Sequence, residues 1–251
     1  MAAAKTGADS GRRALEILLS FTEQRPLLTV RQLAEDLDIP VPSVHRYVAL
    51  LRDMGLIEER GRGQYHLTMR VTQLSRAARQ ATPLVDLAEP YMRELVDQTG
   101  ESALLVRLVH DRPVCMHRVE SAQRFRLSFE IGQQMPPLRG ASARLLLSGL
   151  DPADRERYVD QALEQGARPP LKGRDRFLHD AERDGARGWA VSNEEIDDGI
   201  WAAAAPVTDG SKVVASLSAP CPAFRLDKTK RETIIDLVRK TAADISHALG
   251  T

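Results

Sequence analysis

The sequence predicts an α+β protein in two parts. A small head carries a helix-turn-helix and a β-hairpin wing, and a larger domain holds one mostly antiparallel sheet flanked by helices. Three observations predict it. The chain has 251 residues, beyond the usual size of a single domain. Two short helical patterns meet at "DIPVPSVHRY", where Pro40 and Pro42 interrupt and then restart a helix. From residue 103 the apolar spacing changes from helical to alternating, the period of strands.

Composition bounds the rest. The hydrophobic fraction of 43% allows a sizeable core. No apolar run approaches the roughly 20 residues needed to span a bilayer. The start, "MAAAKTGADSGRR", lacks the apolar centre of a signal peptide and reads as a loose tail. Cys115 and Cys221 are too few and too scattered for a disulfide framework or a zinc site. A cytoplasmic protein without membrane contact is expected. Net charge is zero, yet residues 1–80 carry 12 Lys and Arg against 9 Asp and Glu, and the remainder 23 against 26. A mildly basic head on a mildly acidic body suits a DNA reader, as it suits many other proteins.

In the head, Ala14, Leu15, Ile17, Leu18 and Phe21 recur at helical spacing over residues 12–22. After a break at "EQRPLL", "TVRQLAEDL" opens with a capping box, Thr29 with Gln32, and carries Leu33, Ala34 and Leu37 inward. Proline is tolerated in the first turn of a helix, so Pro42 starts the third helix while Pro40 keeps the turn open. With Val44, Tyr47, Val48 and Leu51 facing the core, Arg46, Ala49 and Asp53 face outward, flanked by Ser43 and His45. Val41 has no side-chain acceptor and caps poorly, which leaves the amides of Ser43 and Val44 free for a phosphate oxygen. Gly55 ends the helix, and "LIEERGRGQYHLT" turns back on itself as a wing with Arg60 and Arg62 near its tip.

Each piece alone is weak: "SVHR" is common, His45 suits any surface, and two arginines can simply solubilise a turn. The ordered set within about sixty residues points to a winged helix-turn-helix, with its third helix in the major groove and its wing on the backbone. The expected DNA-facing residues are Thr29, Ser43, Val44, His45, Arg46, Arg60 and Arg62.

A linker helix is expected over residues 69–82, then an amphipathic helix with Leu84, Leu87, Ala88, Tyr91, Leu95 and Val96 inward, ended by Gly100. "ALLVRLVH", a turn at "DRP" and "VCMHRVE" read as a hairpin, and "RFRLSFEIG" as a third strand. "SARLLLSGL", "DPADRERYVDQALEQG" and "DRFLHDAERDGARG" read as helices, the second started by Asp151–Pro152. "WAVSN", "IWAAAAPVTD" and "VVASLSAP" are strands, the last two joined by a Gly210–Ser211 turn, and a long amphipathic helix closes the chain. Strands bracketed by helices suggest an α+β domain.

No catalytic constellation stands out. "RGASAR" has Arg144 where a nucleophile elbow needs glycine. The six histidines, at 45, 66, 110, 117, 179 and 247, show no metal-ligand spacing, and no phosphate loop appears. The acidic run Glu194, Glu195, Asp197 and Asp198 reads as a solvated loop. No enzyme, cofactor or metal is expected.

"RALEILLSF", "LTVRQLAEDLDIPVPSVHRYVALLRDMGLIEE" and "QYHLT" resemble the N-terminal domain of the IclR family of bacterial transcriptional regulators. "GQQMPPLRGASARLLLSGL", "GWAVSNEEIDDGIWAAAAPV" and "VVASLSAPCPAFRL" are similar to that family's C-terminal motifs, so the likeness runs from about residue 12 to 249. The chain departs from the usual Lys-Ser-Thr before the recognition residues, having Val41, Pro42 and Ser43, and so lacks one phosphate-contacting lysine. The resemblance implies a DNA-binding domain over 10–68, a linker helix over 69–82 and a GAF-like effector-binding and oligomerisation domain over 83–251.

It implies a homodimer or dimer of dimers, controlled by a small organic acid from catabolism. Carried over by position, the pocket is lined by Met135, Ala141, Ser142, Ser192 and Ile200, with Ala202, Ser216 and Ser218. The residues themselves agree. Ser216 and Ser218 alternate around Leu217, Ile200 and Ala202 share a face, and Trp201 points the other way. A helix beginning after "RGAS" offers amides to a carboxylate, and Arg139 can pair with one. Ser192, neutral where relatives often carry a larger or acidic residue, and the small Ala202 leave room for a bulky dicarboxylate or aromatic acid. The alternatives are a DNA-binding protein whose larger domain only oligomerises, and an enzyme with a DNA-binding head.

Overall fold

The computed structural model describes residues 7–22, 24–80, 83–122 and 129–250. Its contacts divide the chain into two compact units, residues 1–81 and 82–251.

The first unit starts with α1 (Gly7–Leu19), which begins before residue 12 and ends before 22, so residues 7–11 are helix and not tail. Residues 1–6, the rest of the expected tail, lie outside the described residues. Phe21, past the helix end, is still buried with Ile17 and Leu33. β1 (Leu28–Thr29), α2 (Val30–Leu37), α3 (Val41–Asp53), β2 (Ile57–Gly61) and β3 (Gln64–Leu67) follow. The sheet order is β1-β3-β2, with Leu28 opposite Tyr65. β1 is absent from the sequence reading because a two-residue strand shows no period. The wing turns through Arg62 and Gly63, with φ of 54° and 70°, the two-residue turn whose twist matches a hairpin.

The capping box at α2 forms as expected. Gln32 N donates to Thr29 Oγ1 at 3.2 Å, and Thr29 N to Gln32 Oε1 at 2.9 Å. Thr29→Ala leaves those donors unpaired and is expected to destabilise the isolated head by about 1 kcal/mol in urea denaturation. A change below about 0.3 kcal/mol in that titration contradicts a capping role.

At α3 one expectation is corrected. The helix begins at Val41, so Pro40 is its N-cap residue and Pro42 is second in the helix. The Pro40 carbonyl therefore accepts from Ser43 N at 2.8 Å and Val44 N at 3.1 Å. Those two amides are not free for phosphate. Beyond the wing runs α4 (Arg70–Gln80), and residues 81–82 of the expected linker lie outside the described residues.

The second unit comprises α5 (Pro83–Thr99), β4 (Ala103–Val109), β5 (Arg112–Val119), α6 (Ala141–Ser148), α7 (Pro152–Glu164), α8 (Arg174–Arg187), β6 (Ala190–Asn193), β7 (Ile200–Asp209), β8 (Lys212–Pro222) and α9 (Lys228–Leu249). The strands form one antiparallel sheet in the order β5-β4-β8-β7-β6. On α5, Val85 and Met92 are buried where Leu87 and Tyr91 were expected, and both of the latter are half-buried. The β4–β5 turn is His110–Asp111, one residue before the "DRP" reading, with φ of 46° and 61°. The expected strand "RFRLSFEIG" falls mostly on residues that are not described. Residues 124–128 lie outside the described residues, and 129–132 are irregular and turn. β4 pairs with β5 on one side and β8 on the other.

The period of two sorts the sheet into two faces. Trp201, Ala203, Ala205, Val207 and Leu217 pack with α5 and α9, in one cluster with Met92, Leu95, Ile234 and Val238. Ile200, Ala202, Ala204 and Ser218 face the other way, under α6 and the segments around it. α6 is buried on every side from Ala141 to Leu147.

Candidate functional site

On the head, the outward residues of α3 form one row. Pro42, His45, Arg46, Ala49 and Asp53 are exposed and Ser43 is half-buried. Arg46, Arg60 and Arg62 have no ion-pair partner among the described residues, so their charges are available to a polyanion. Of the expected DNA-facing residues, Val44 is corrected and Thr29 is engaged within the head. Val44 is 0% exposed and its amide is bound to Pro40. Thr29 has its hydroxyl and amide committed to the capping box. Val41, a poor cap, is 44% exposed at the start of α3. Its apolar end suits a thymine methyl.

In the second unit a cavity opens between the sheet and α6, with about 680 Å³ of empty space, part of it open to solvent. The structure brings together Met135, Arg139, Ala141 and Ser142 from α6 and the segment before it. Ser192, Ile200, Ala202 and Ser218 come from the sheet. Ser216 does not line the cavity. It shares the face of Ser218 but pairs with Val106 and Pro206, one row farther along β8, where it is 0% exposed. Its hydroxyl has no hydrogen-bond partner among the described residues. Leu104, Val106, Phe129 and Ile196 complete the apolar wall, with Asp197 as a further polar group. β4 lies too far from the β6–β8 motifs in sequence for its residues to have been read as their neighbours.

The segment from Glu194 to Gly199 is a loop with Glu194 and Asp198 exposed as expected, but Ile196 and Asp197 line the cavity and Glu195 is half-buried. Glu195 Oε2 accepts from Gly140 N at 3.0 Å and from Arg144 Nη1 at 2.7 Å. Arg144, 6% exposed, also donates through Nε to Asp184 at 2.8 Å and through Nη2 to the Val191 carbonyl. Asp184 is itself 0% exposed and pairs further with Arg183 and Arg187. Burial alone lowers the Arg144 pKa, but the Glu195 charge and the bonds to Asp184 and Glu195 more than offset it and raise it. Gly140 sits at φ 88°, and a Cβ there would come within 2.7 Å of Ile196 Cδ1. Glycine is therefore required where this segment closes on the start of α6.

Neither thiol is poised for chemistry. Burial pushes Cys115 up to about 11, and burial with the adjacent Glu101 pushes Cys221 up to about 12. Among the described residues, no group of three His, Cys, Asp or Glu is placed to hold a metal ion. None of their helices is long and apolar enough to cross a membrane.

Comparison with known proteins agrees with this architecture. The IclR helix-turn-helix domain matches residues 12–61, and the bacterial transcriptional regulator IclR C-terminal domain matches residues 76–247. The Pca regulon regulatory protein of Pseudomonas putida is 27% identical over 248 residues, 94% of this chain and 82% of that one. The transcriptional regulator KdgR of Escherichia coli is 25% identical over 238 residues, 93% of this chain and 90% of its own. An IclR homolog from Microbacterium hydrocarbonoxydans, solved in complex with 4-hydroxybenzoate, superposes with a TM-score of 0.79 at 20% identity. That match covers 96% of this chain and 98% of the homolog. The two domain matches together take in most of the sequence, and the chain belongs to the IclR family of bacterial transcriptional regulators.

Proposed function

We propose that this regulator is controlled by a small organic acid bound in the cavity under α6, and that it acts on its operator as a homodimer or dimer of dimers. The observation that carries the reading is the cavity itself, an apolar chamber with few polar groups on its wall. His45, Arg46 and the partly exposed Ser43 read the major groove, and Arg60 and Arg62 hold the backbone. The effector shifts the balance between arrangements of the paired heads by binding one of them more tightly. Repression and activation use the same parts. The 4-hydroxybenzoate held by the Microbacterium homolog supports an aromatic acid among the candidates.

The test is a thermal-melt screen of the full chain against keto acids, aliphatic dicarboxylates, hydroxybenzoates and phenylpropanoids. An effector at about 100 times its dissociation constant stabilises by roughly 2.7 kcal/mol, a rise of several degrees. The same compound is expected to change operator affinity in a gel-shift titration. No shift with any acid would leave a DNA-binding protein whose larger domain serves assembly alone.

A further inference from the structure

The cavity is polarised along the sheet. Ser192 on β6 pairs with Ala202, which pairs with Pro220, while Ser218 on β8 pairs with Leu104 and Ala204 one row away. Two strand spacings of about 4.8 Å and two residues of about 3.4 Å rise put the Ser192 and Ser218 Cα atoms roughly 12 Å apart. α6 runs in the same sense. Ala141 clusters with Ala190 of β6 and Ala204, and Leu146 with Leu104 and Val106 of β4. The start of α6 therefore lies at the β6 end, and the described residues clustered at the β4 end, Leu104, Val106, Phe129 and Met135, are apolar, with Ser218 beside them.

Arg139 belongs to the β6 end. It is 8% exposed and lines the cavity. Its Nε donates to the Pro169 carbonyl at 2.9 Å and its Nη1 to the Glu195 carbonyl at 3.5 Å, just beyond β6. Neither N–H of Nη2 has an acceptor among the described residues, and no carboxylate there pairs with the guanidinium. An arginine this little exposed, with its Nη2 donors uncommitted at a cavity wall, is suited to receive an anion. The neighbouring Gly140 amide is already taken by Glu195, so it cannot serve a ligand. Of the described residues lining the cavity, Arg139 is the one cation, and Asp197 contributes a negative charge.

We propose that Arg139 is the receptor for the effector's carboxylate, and that the effector is a monoanionic acid with a flat apolar body and one uncharged hydrogen-bonding group at its far end, reaching Ser218. The inference rests on the effector reading above and deepens it. The carboxylate lies at the β6 end, against Arg139 and beside Ser192. The body lies over Ala202 and Pro220, whose small or flat side chains leave room for a ring. A dicarboxylate is disfavoured, because among the described residues its second charge meets no cation at the β4 end.

The test is calorimetric titration of the full-length protein with 4-hydroxybenzoate, its uncharged analogue 4-hydroxybenzamide, and the dicarboxylate terephthalate. Wild type is expected to prefer 4-hydroxybenzoate to each of the others by at least about tenfold. Arg139→Gln is expected to weaken 4-hydroxybenzoate roughly 10- to 100-fold and 4-hydroxybenzamide at least about fivefold less than that, with Arg139→Lys in between. The amide controls for a variant that merely loosens the fold, since such a variant loses both ligands alike. Terephthalate binding as tightly as 4-hydroxybenzoate, or 4-hydroxybenzoate binding that survives Arg139→Gln, overturns this inference and leaves the effector reading standing. Binding confined to aliphatic acids of the melt screen does the same. Silence from every acid in both experiments overturns the effector reading, and this inference with it.

Discussion

Arg144→Met is expected to lower the melting temperature of the second unit by roughly 10 °C, the largest effect of any single substitution considered. Arg144 lies between two carboxylates, one of them on the fully buried Asp184. Removing one partner of a buried ion pair leaves the other charge uncompensated, at about 3–5 kcal/mol. For a unit of this size each kcal/mol moves the midpoint by about 2–4 °C. Methionine keeps most of the packing volume, so the loss reports charge and hydrogen bonding and not an empty space. Arg144→Lys keeps the charge but cannot reach Asp184, Glu195 and the Val191 carbonyl at once, and an intermediate loss is expected. Calorimetry of the three proteins decides it. A drop of less than about 2 °C for Arg144→Met would mean that Asp184 is held by Arg183 and Arg187 alone.

Arg46→Ala is expected to weaken operator binding by roughly 1–3 kcal/mol, about 5- to 150-fold, and to relax preference at one base position. The side chain is exposed on the outward row of α3 and has no intramolecular ion pair among the described residues, so nothing in the fold depends on it. Melting should be unchanged. Arg60→Ala with Arg62→Ala should behave differently, flattening the salt dependence of binding with little change in preference, because wing contacts go to phosphates. Competition gel shifts with operator and random DNA at two salt concentrations separate the two. If Arg46→Ala weakens random and operator DNA equally, Arg46 contacts phosphate and the base reading passes to His45 and its neighbours.

Where the sequence was legible, a local rule and the tertiary structure agreed. The Thr29–Gln32 capping box, the proline restart of α3 and the Asp151–Pro152 start of α7 are short-range chemistry, and all three formed. The alternation of Ile200, Trp201 and Ala202 correctly divided β7 between its two faces. The misreadings came from partners distant in sequence. Glu195 looks like part of a solvated acidic run until β6 and the start of α6 bring it to Arg144, 51 residues away. Arg144 itself was noticed only for not being glycine. Ser216 passed the alternation test and failed on depth, since the period gives the face of a strand but not how far along it a cavity extends.

The complete burial of α6 also bears on how members of such a lineage diversify. A helix packed on all sides from Ala141 to Leu147 tolerates few replacements, since each must refit neighbours on the sheet and on α8 at the same time. On the effector reading proposed above, the wall can change more freely in the two segments that meet at its first turn, around Met135 to Arg139 and Glu194 to Gly199. There a single change alters the chamber wall without recasting the packed interior. If the domain binds an effector as proposed, a new one could be accommodated by editing two short stretches of chain while the packed scaffold is inherited whole.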